Sequence, residues 1–177
     1  IVVLQFDMSF SGTASLGAMT MGWLIAAGYS LGVSIGCAAV VGLIVGLING
    51  TAVAYLNLPN IVATIAMGGI TYGLSYFYSD GTSISENFFS SGILEINDAT
   101  FFYIDAPVLI LLAFALLAGL VLHASRLGRS FYATGENRIA AIYSGIKTRY
   151  YILAAFAICG IMSCLCIVLQ VASSGAA

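Results

Sequence analysis

The chain has 177 residues, of which 61% are apolar and 7% charged, and its mean hydropathy is +1.07. Soluble domains carry about 25% charged and about 45–50% apolar residues, so 7 acids, 5 bases and 1 histidine are too few to cover a water-facing surface. A soluble globular enzyme is excluded, an integral membrane protein is indicated, and a net charge of −2 offers no basic field to a nucleic acid.

From Met8 to Ser79 there is no Asp, Glu, Lys, Arg or His. A crossing needs about 20 apolar residues, so three spans with tight connections fit, near 8–28, 31–56 and 61–78. Ala106 to Ser125, uncharged apart from His123, fits a fourth span near 106–124, and the stretch from Tyr150 onward fits a fifth near 150–172. The expected fold is an all-α membrane bundle of about five transmembrane helices. All five bases (Arg126, Arg129, Arg138, Lys147, Arg149) lie in 125–149, and five acids (Asp80, Glu86, Glu95, Asp98, Asp105) lie in 79–105. The excess of Lys and Arg on cytoplasmic loops puts 125–149 in the cytoplasm. Alternation then places 79–105 and the 29–30 turn outside, and Asn57-Leu58-Pro59-Asn60 inside.

The chain starts at Ile1 without an initiator methionine, which suggests a portion of something longer; no signal peptide is recognisable. Gly28, Gly32 and Gly36 repeat every four residues, as do Gly42, Gly46 and Gly50. Helices in lipid associate by close backbone approach at small residues, so both rows are expected at helix–helix contacts. Cys37, Cys159, Cys164 and Cys166 lie in apolar runs without a CxxC pair and are expected to pack rather than to bind metal.

In 125–149, Thr134 is an N-cap residue type, with Glu136 in the first turn to follow, and Gly145 suits the position after a last turn. Between them a helix of about two and a half turns is predicted. Ile139, Ile142, Tyr143 and Ile146 follow the i, i+3, i+4, i+7 spacing of one face. Such a stripe suits a groove on a partner protein or the headgroup layer and the helix's own bundle, and spacing alone does not choose.

The stretch Leu127-Gly128-Arg129-Ser130-Phe131-Tyr132-Ala133-Thr134-Gly135-Glu136-Asn137, followed by Ala140-Ala141-Ile142-Tyr143-Ser144-Gly145-Ile146, closely resembles a loop of ABC-importer permeases. The family is that of the ribose, galactose, xylose and autoinducer permeases, with branched-chain amino acid permeases as relatives. Phe6-Asp7-Met8-Ser9-Phe10-Ser11-Gly12 is similar to the family's IDLSVG segment, and Gly46-Leu47-Ile48-Asn49-Gly50 with Leu58-Pro59-Asn60-Ile61-Val62-Ala63-Thr64 to its GLxNG…PxFIVTL segment. Gly73 to Ser85 is similar to its RGL…Y(T/S)xGxxIS stretch. Glu136 stands where the family often has a second glycine, and Phe10 where valine is common.

The resemblance implies a single permease domain over 1–177, lacking one or two initial spans and a glycine-rich C-terminal half. It implies a coupling helix that seats in an ATP-hydrolysing subunit, formed by Gly135, Glu136, Asn137, Ile139, Ala140, Ala141, Ile142, Tyr143, Ser144, Gly145 and Ile146. The implied partners are that ATPase, a second permease subunit, identical or related, and an extracytoplasmic substrate-binding protein. The solute is a sugar or similar small polar compound. No cofactor is expected in this chain: no P-loop GxxxxGK[ST] occurs, so ATP and Mg would be bound by the partner.

Candidates for a translocation path are Asp7, Asn49, Asn60, Thr64 and Thr71, with Ser75, Asn57, Trp23 and Tyr72 beside them. Asp7 is a functional carboxylate, costly inside a bilayer, or caps an interfacial turn with Ser9 and Ser11. The Asn and Thr side chains serve a polar solute or bond helix to helix. His123, beside Arg126, reads as interfacial, and a Ser–His pair would have to use it at the membrane edge. The alternative function is a secondary transporter driven by an ion gradient, which would need ionisable groups in its core; Asp7 is the one candidate.

Overall fold

The computed structural model describes Val3, residues 5–101 and residues 103–176. In chain order the elements are α1 (Phe10–Ala26), α2 (Leu31–Ala54), α3 (Asn60–Tyr78), α4 (Phe88–Ser91), α5 (Ile93–Asp98), β1 (Thr100–Phe101), β2 (Ile104–Asp105), α6 (Ala106–Ala124), α7 (Arg126–Glu136), α8 (Arg138–Tyr143) and α9 (Thr148–Ser174). Among the described residues, four helices are long and apolar enough to cross a membrane: α2, α3, α6 and α9. The expected first span is shorter than predicted. It is the 17-residue α1, about 25 Å long, and its inner end lies within the bundle.

The axis of the fold is the antiparallel pair α2 and α9. A methyl group built on Gly42 would overlap the carbonyl of Gly160, and one on Gly46 the carbonyl of Phe156. At Gly50 the same methyl would sit 2.9 Å from Leu153 Cα. Close approach at small residues is how helices gain dispersion contacts where lipid removes the hydrophobic drive. The second predicted row behaves differently: nothing lies within 4 Å of a methyl on Gly32 or Gly36, and Gly28 is a turn residue at φ +85°. The same four-residue spacing therefore marks a contact face in the second half of α2 and an open face in its first half.

Helix α1 leans on this pair through Gly17, against Cys164 Sγ, and on α3 through Gly12, against Gly68 and Thr71. Cys164 is fully buried and its thiol donates to Thr13 O at 3.5 Å. Around it the outer core gathers Ala18, Met21, Ile25, Ala38, Val168, Val171 and Ala172. The acidic 79–105 stretch is not a bare loop: α4 and α5 insert Phe88 and Ile93, each fully buried, into that core. Burying two such side chains from the aqueous side is worth about 1.5–3 kcal/mol each. β1 and β2 form a two-residue antiparallel ribbon, with Thr100 opposite Asp105 and Phe101 opposite Ile104. Asp80, Glu86, Glu95 and Asp105 are exposed; the side chain of Asp98 lies outside the described residues. Helix α6 has no buried residue and meets the rest through α5, β2 and α7.

The Thr13 hydroxyl is buried and has no hydrogen-bond partner among the described residues. A buried polar group left unpaired costs about 1–3 kcal/mol. Thr13→Val keeps the shape and removes that group, so the unfolding temperature should rise by about 2–4 °C, measured by tryptophan fluorescence on heating. A fall would mean that the hydroxyl has a partner.

Candidate functional site

Loop 125–149 folds as two helices, not one. Ser125 caps α7, its hydroxyl accepting from Gly128 N at 3.1 Å. Thr134 is therefore not an N-cap: it is buried inside α7, and its hydroxyl donates to Ser130 O at 2.7 Å. Gly128, Phe131 and Thr134 line the buried side of α7. Gly128 lies against Leu122 of α6, and Phe131 meets Tyr151 of α9 edge-on at 5.3 Å. Glu136 consequently ends α7, where the helix dipole disfavours an acid, instead of opening the next helix. The break is Asn137, extended at φ −150°, whose Oδ1 accepts from Ala140 N at 3.0 Å as the N-cap of α8.

α8 is a short, well-terminated helix. Gly145, at φ +80°, lets Gly145 N donate to Ile142 O at 3.0 Å and Ile146 N to Ala141 O at 2.9 Å, the Schellman closure. Ala141 is its one buried residue. Ile139, Ile142 and Tyr143 are 69%, 53% and 88% exposed, while Ile146 is half-buried. Three large apolar side chains thus stand exposed on the basic side of the bundle.

The polar candidates gather around the segment before α1. Asp7 Oδ1 accepts from Ser9 N at 2.8 Å and from Ser9 Oγ at 2.6 Å. Asn49 of α2 donates to Ser9 Oγ at 2.8 Å. Thr64 of α3 accepts from Met8 N at 3.1 Å and donates to Asn60 O at 2.8 Å, and Asn60 donates to Phe6 O at 3.3 Å. Asn49, Thr64 and Ser9 are 1%, 0% and 1% exposed, so these side chains pin the segment rather than face an open channel. Thr71 stands apart, about two turns further along α3 against Gly12, and donates to Met67 O at 2.9 Å.

The depth of this cluster corrects the interfacial reading of Asp7 and Ser9. Gly17 is level with Cys164, which puts the start of α1 about nine residues, some 13 Å, along α9. Non-helical backbone at that depth is tolerated only where protein buries it or where it lines a cavity. Both hold here. A cavity of about 300 Å³ is lined by Val3, Gln5, Phe6, Asp7, Phe10, Ala155, Phe156 and Cys159, at the small end of the range that holds small molecules. Asp7 is half-buried at its edge. Nearer the outside, α1 and α3 frame a cleft of about 290 Å³ with Ser15, Tyr72, Ser75, Tyr76, Ser79 and Thr82 on its walls; Ser15 and Ser75 share a hydrogen bond of 2.9 Å. Trp23 lies further out, against Tyr78 at 6.2 Å, Asn57 is a turn residue at φ +54°, and His123 stacks on Tyr132 at 5.9 Å.

Sequence reasoning missed Ser9 as the hub of the cluster, and Gln5, Phe156 and Cys159 as cavity walls. Ser9 carried a signal, since Asp-x-Ser is the spacing of an Asx turn; the α9 residues carried none. Gly32-Val33-Ser34-Ile35-Gly36 has the G-x-S-x-G spacing of a nucleophile elbow, which sits on a strand–turn–helix bend. Here the string lies inside α2, and Ser34 is buried and donates to Ser30 O at 3.1 Å. Among the described residues, no group of three His, Cys, Asp or Glu could hold a metal ion.

A family model described as branched-chain amino acid transport system / permease component matches residues 1–177. The chain belongs to that family. Among its curated relatives is the autoinducer 2 import system permease protein LsrC of Salmonella typhimurium (strain LT2), 32% identical over 161 residues, 91% of this chain and 46% of the relative. The same-named protein of Escherichia coli O9:H4 (strain HS) is 30% identical over the same coverage. The D-allose transport system permease protein AlsC of Escherichia coli (strain K12) is 33% identical over 179 residues, 100% of this chain and 54% of the relative. The chain thus spans about half the length of the curated relatives it matches. No solved structure matches it. With its apolar helices, family membership makes this a multi-pass inner-membrane protein.

Proposed function

We propose that this chain is part of the permease subunit of an ATP-driven, binding-protein-dependent importer for a sugar or similar small polar solute. The observation that carries it is α8, a capped helix on the cytoplasmic side with Ile139, Ile142 and Tyr143 exposed, in a chain matched end to end by a permease family. An exposed apolar helix of this kind seats in a groove of a partner, here a separate ATPase subunit that binds ATP and Mg. The acidic outer side, with α4 and α5, would meet the substrate-binding protein, and a second permease subunit, identical or related, would complete the pathway. The relatives' names give autoinducer 2 and D-allose as their solutes, which supports a hydroxylated small molecule.

The test is purification of the full-length subunit in mild detergent, followed by uptake in proteoliposomes. A P-loop ATPase should co-purify, and uptake should require ATP inside the assay's cytoplasmic compartment. Purification without an ATPase, with uptake driven by an ion gradient, would overturn the reading.

The cluster around the segment before α1 is the proposed inner part of the path, with Asp7 facing the solute, Asn49, Asn60 and Thr64 holding segment 5–9 around it, and Thr71 further along α3 against Gly12. Asp7→Asn preserves an acceptor for Ser9 but removes the charge. Hydrogen bonds to charged groups are worth about 1.5–3 kcal/mol, so uptake should fall about tenfold or more while the amount in the membrane is unchanged. Wild-type uptake would remove Asp7 from the path.

A further inference from the structure

The cytoplasmic end of the bundle holds a cleft beside α8, and Ile142 of that helix forms part of its wall. It is about 450 Å³ in volume and runs between the end of α2, at Tyr55, the α8 side, at Ile142 and Ile146, and the start of α9, at Lys147, Thr148, Arg149 and Tyr150. Its two cations are exposed and neither forms an ion pair among the described residues. Each instead lies over a ring: the Arg149 guanidinium is 5.7 Å from the centre of Tyr55, and Lys147 Nζ is 5.8 Å from that of Tyr150.

The depth of the cleft selects its ligand. Helix α9 has 27 residues, about 40 Å, against a hydrocarbon core about 30 Å thick. Its first turn therefore stands at the level of the inner-leaflet headgroups, where Tyr rings also settle. Two cations held by aromatic rings at that level, between two transmembrane helices, form a basic pocket suited to a lipid phosphate. We propose that the Tyr55–Lys147–Arg149–Tyr150 cleft binds the headgroup of an anionic phospholipid of the inner leaflet. The rings keep the cations splayed toward the cleft, and the lipid's acyl chains run outward along the apolar surfaces of α2 and α9.

The test uses the full-length subunit in mild detergent, with phosphatidylglycerol, phosphatidylcholine and inorganic phosphate as probes. Bound lipid is counted by native mass spectrometry and thermal stability is recorded in parallel. Phosphatidylglycerol should be retained and should raise the unfolding temperature, whereas phosphatidylcholine and inorganic phosphate should do neither. Each basic residue near an anionic surface contributes about fivefold in affinity, so K147Q/R149Q should weaken phosphatidylglycerol binding about twentyfold or more. R126Q/R138Q, with the same charge change on the same side, should leave it unchanged. If K147Q/R149Q does not fold, K147R/R149K should fold and retain the lipid.

Equal loss in R126Q/R138Q would overturn the site in favour of a diffuse field, and equal stabilisation by inorganic phosphate would overturn the lipid. Undiminished lipid binding by K147Q/R149Q, with loss of a co-purifying protein, would assign the cleft to a protein interface. These outcomes do not depend on the importer reading, which the ATPase co-purification tests separately.

Discussion

Ile142→Asp is expected to release the proposed ATP-hydrolysing partner while leaving the subunit in the membrane. Ile142 is 53% exposed on a helix whose ends are fixed by Asn137 and by the Gly145 closure, so the substitution changes the surface of α8 and not its existence. Replacing an anchor residue of an interface costs about 2 kcal/mol or more, and a charge carried into an apolar groove adds its desolvation. Recovery of the ATPase on co-purification should fall about thirtyfold or more, and ATP-driven uptake should fall with it. Ile142→Leu, equal in volume, should retain both. Full recovery of the ATPase with Ile142→Asp would remove α8 from the coupling role.

The largest effect on folding is expected at Gly46. There the backbones of α2 and α9 are in contact: a single methyl would overlap the Phe156 carbonyl and lie 2.8 Å from Ala157 Cα. Gly46→Leu forces the two helices apart, and overpacking costs about 1–3 kcal/mol, occasionally more. Because α1 also packs on this pair, most of the monodisperse peak on size-exclusion chromatography should disappear. Gly36→Leu, on the same helix with open space beside it, should cost far less. A normal profile for Gly46→Leu would contradict the close α2–α9 approach.

That pair of glycines also shows where the sequence is legible. Long uncharged runs and one-sided loop charges locate the membrane helices to within a few residues, because hydrocarbon leaves no other way to satisfy a backbone. Spacing alone does not tell Gly46 from Gly36; what separates them is which neighbour arrives, a property of α9 more than a hundred residues away. Thr134 and Asn137 are both N-cap residue types three residues apart. Choosing between them requires seeing that Gly128, Phe131 and Thr134 form the buried side of a helix already under way. The depth of Asp7 was hidden for a similar reason: a helix that begins part-way through a bundle has the same composition as one that begins at its edge.

Segment 5–9 departs from the rest of the bundle in how its backbone is held. Within α1, α2, α3 and α9 an amide is protected by a carbonyl of its own helix, so hydrogen exchange there reports local unwinding. The Met8 amide is protected instead by the hydroxyl of Thr64, on another helix. Its exchange rate is therefore set by how often the start of α1 and the inner turn of α3 move apart while both remain helical. Under the proposed importer function, deuterium uptake at Met8 is a built-in clock for the relative motion of those two elements, readable without any attached probe.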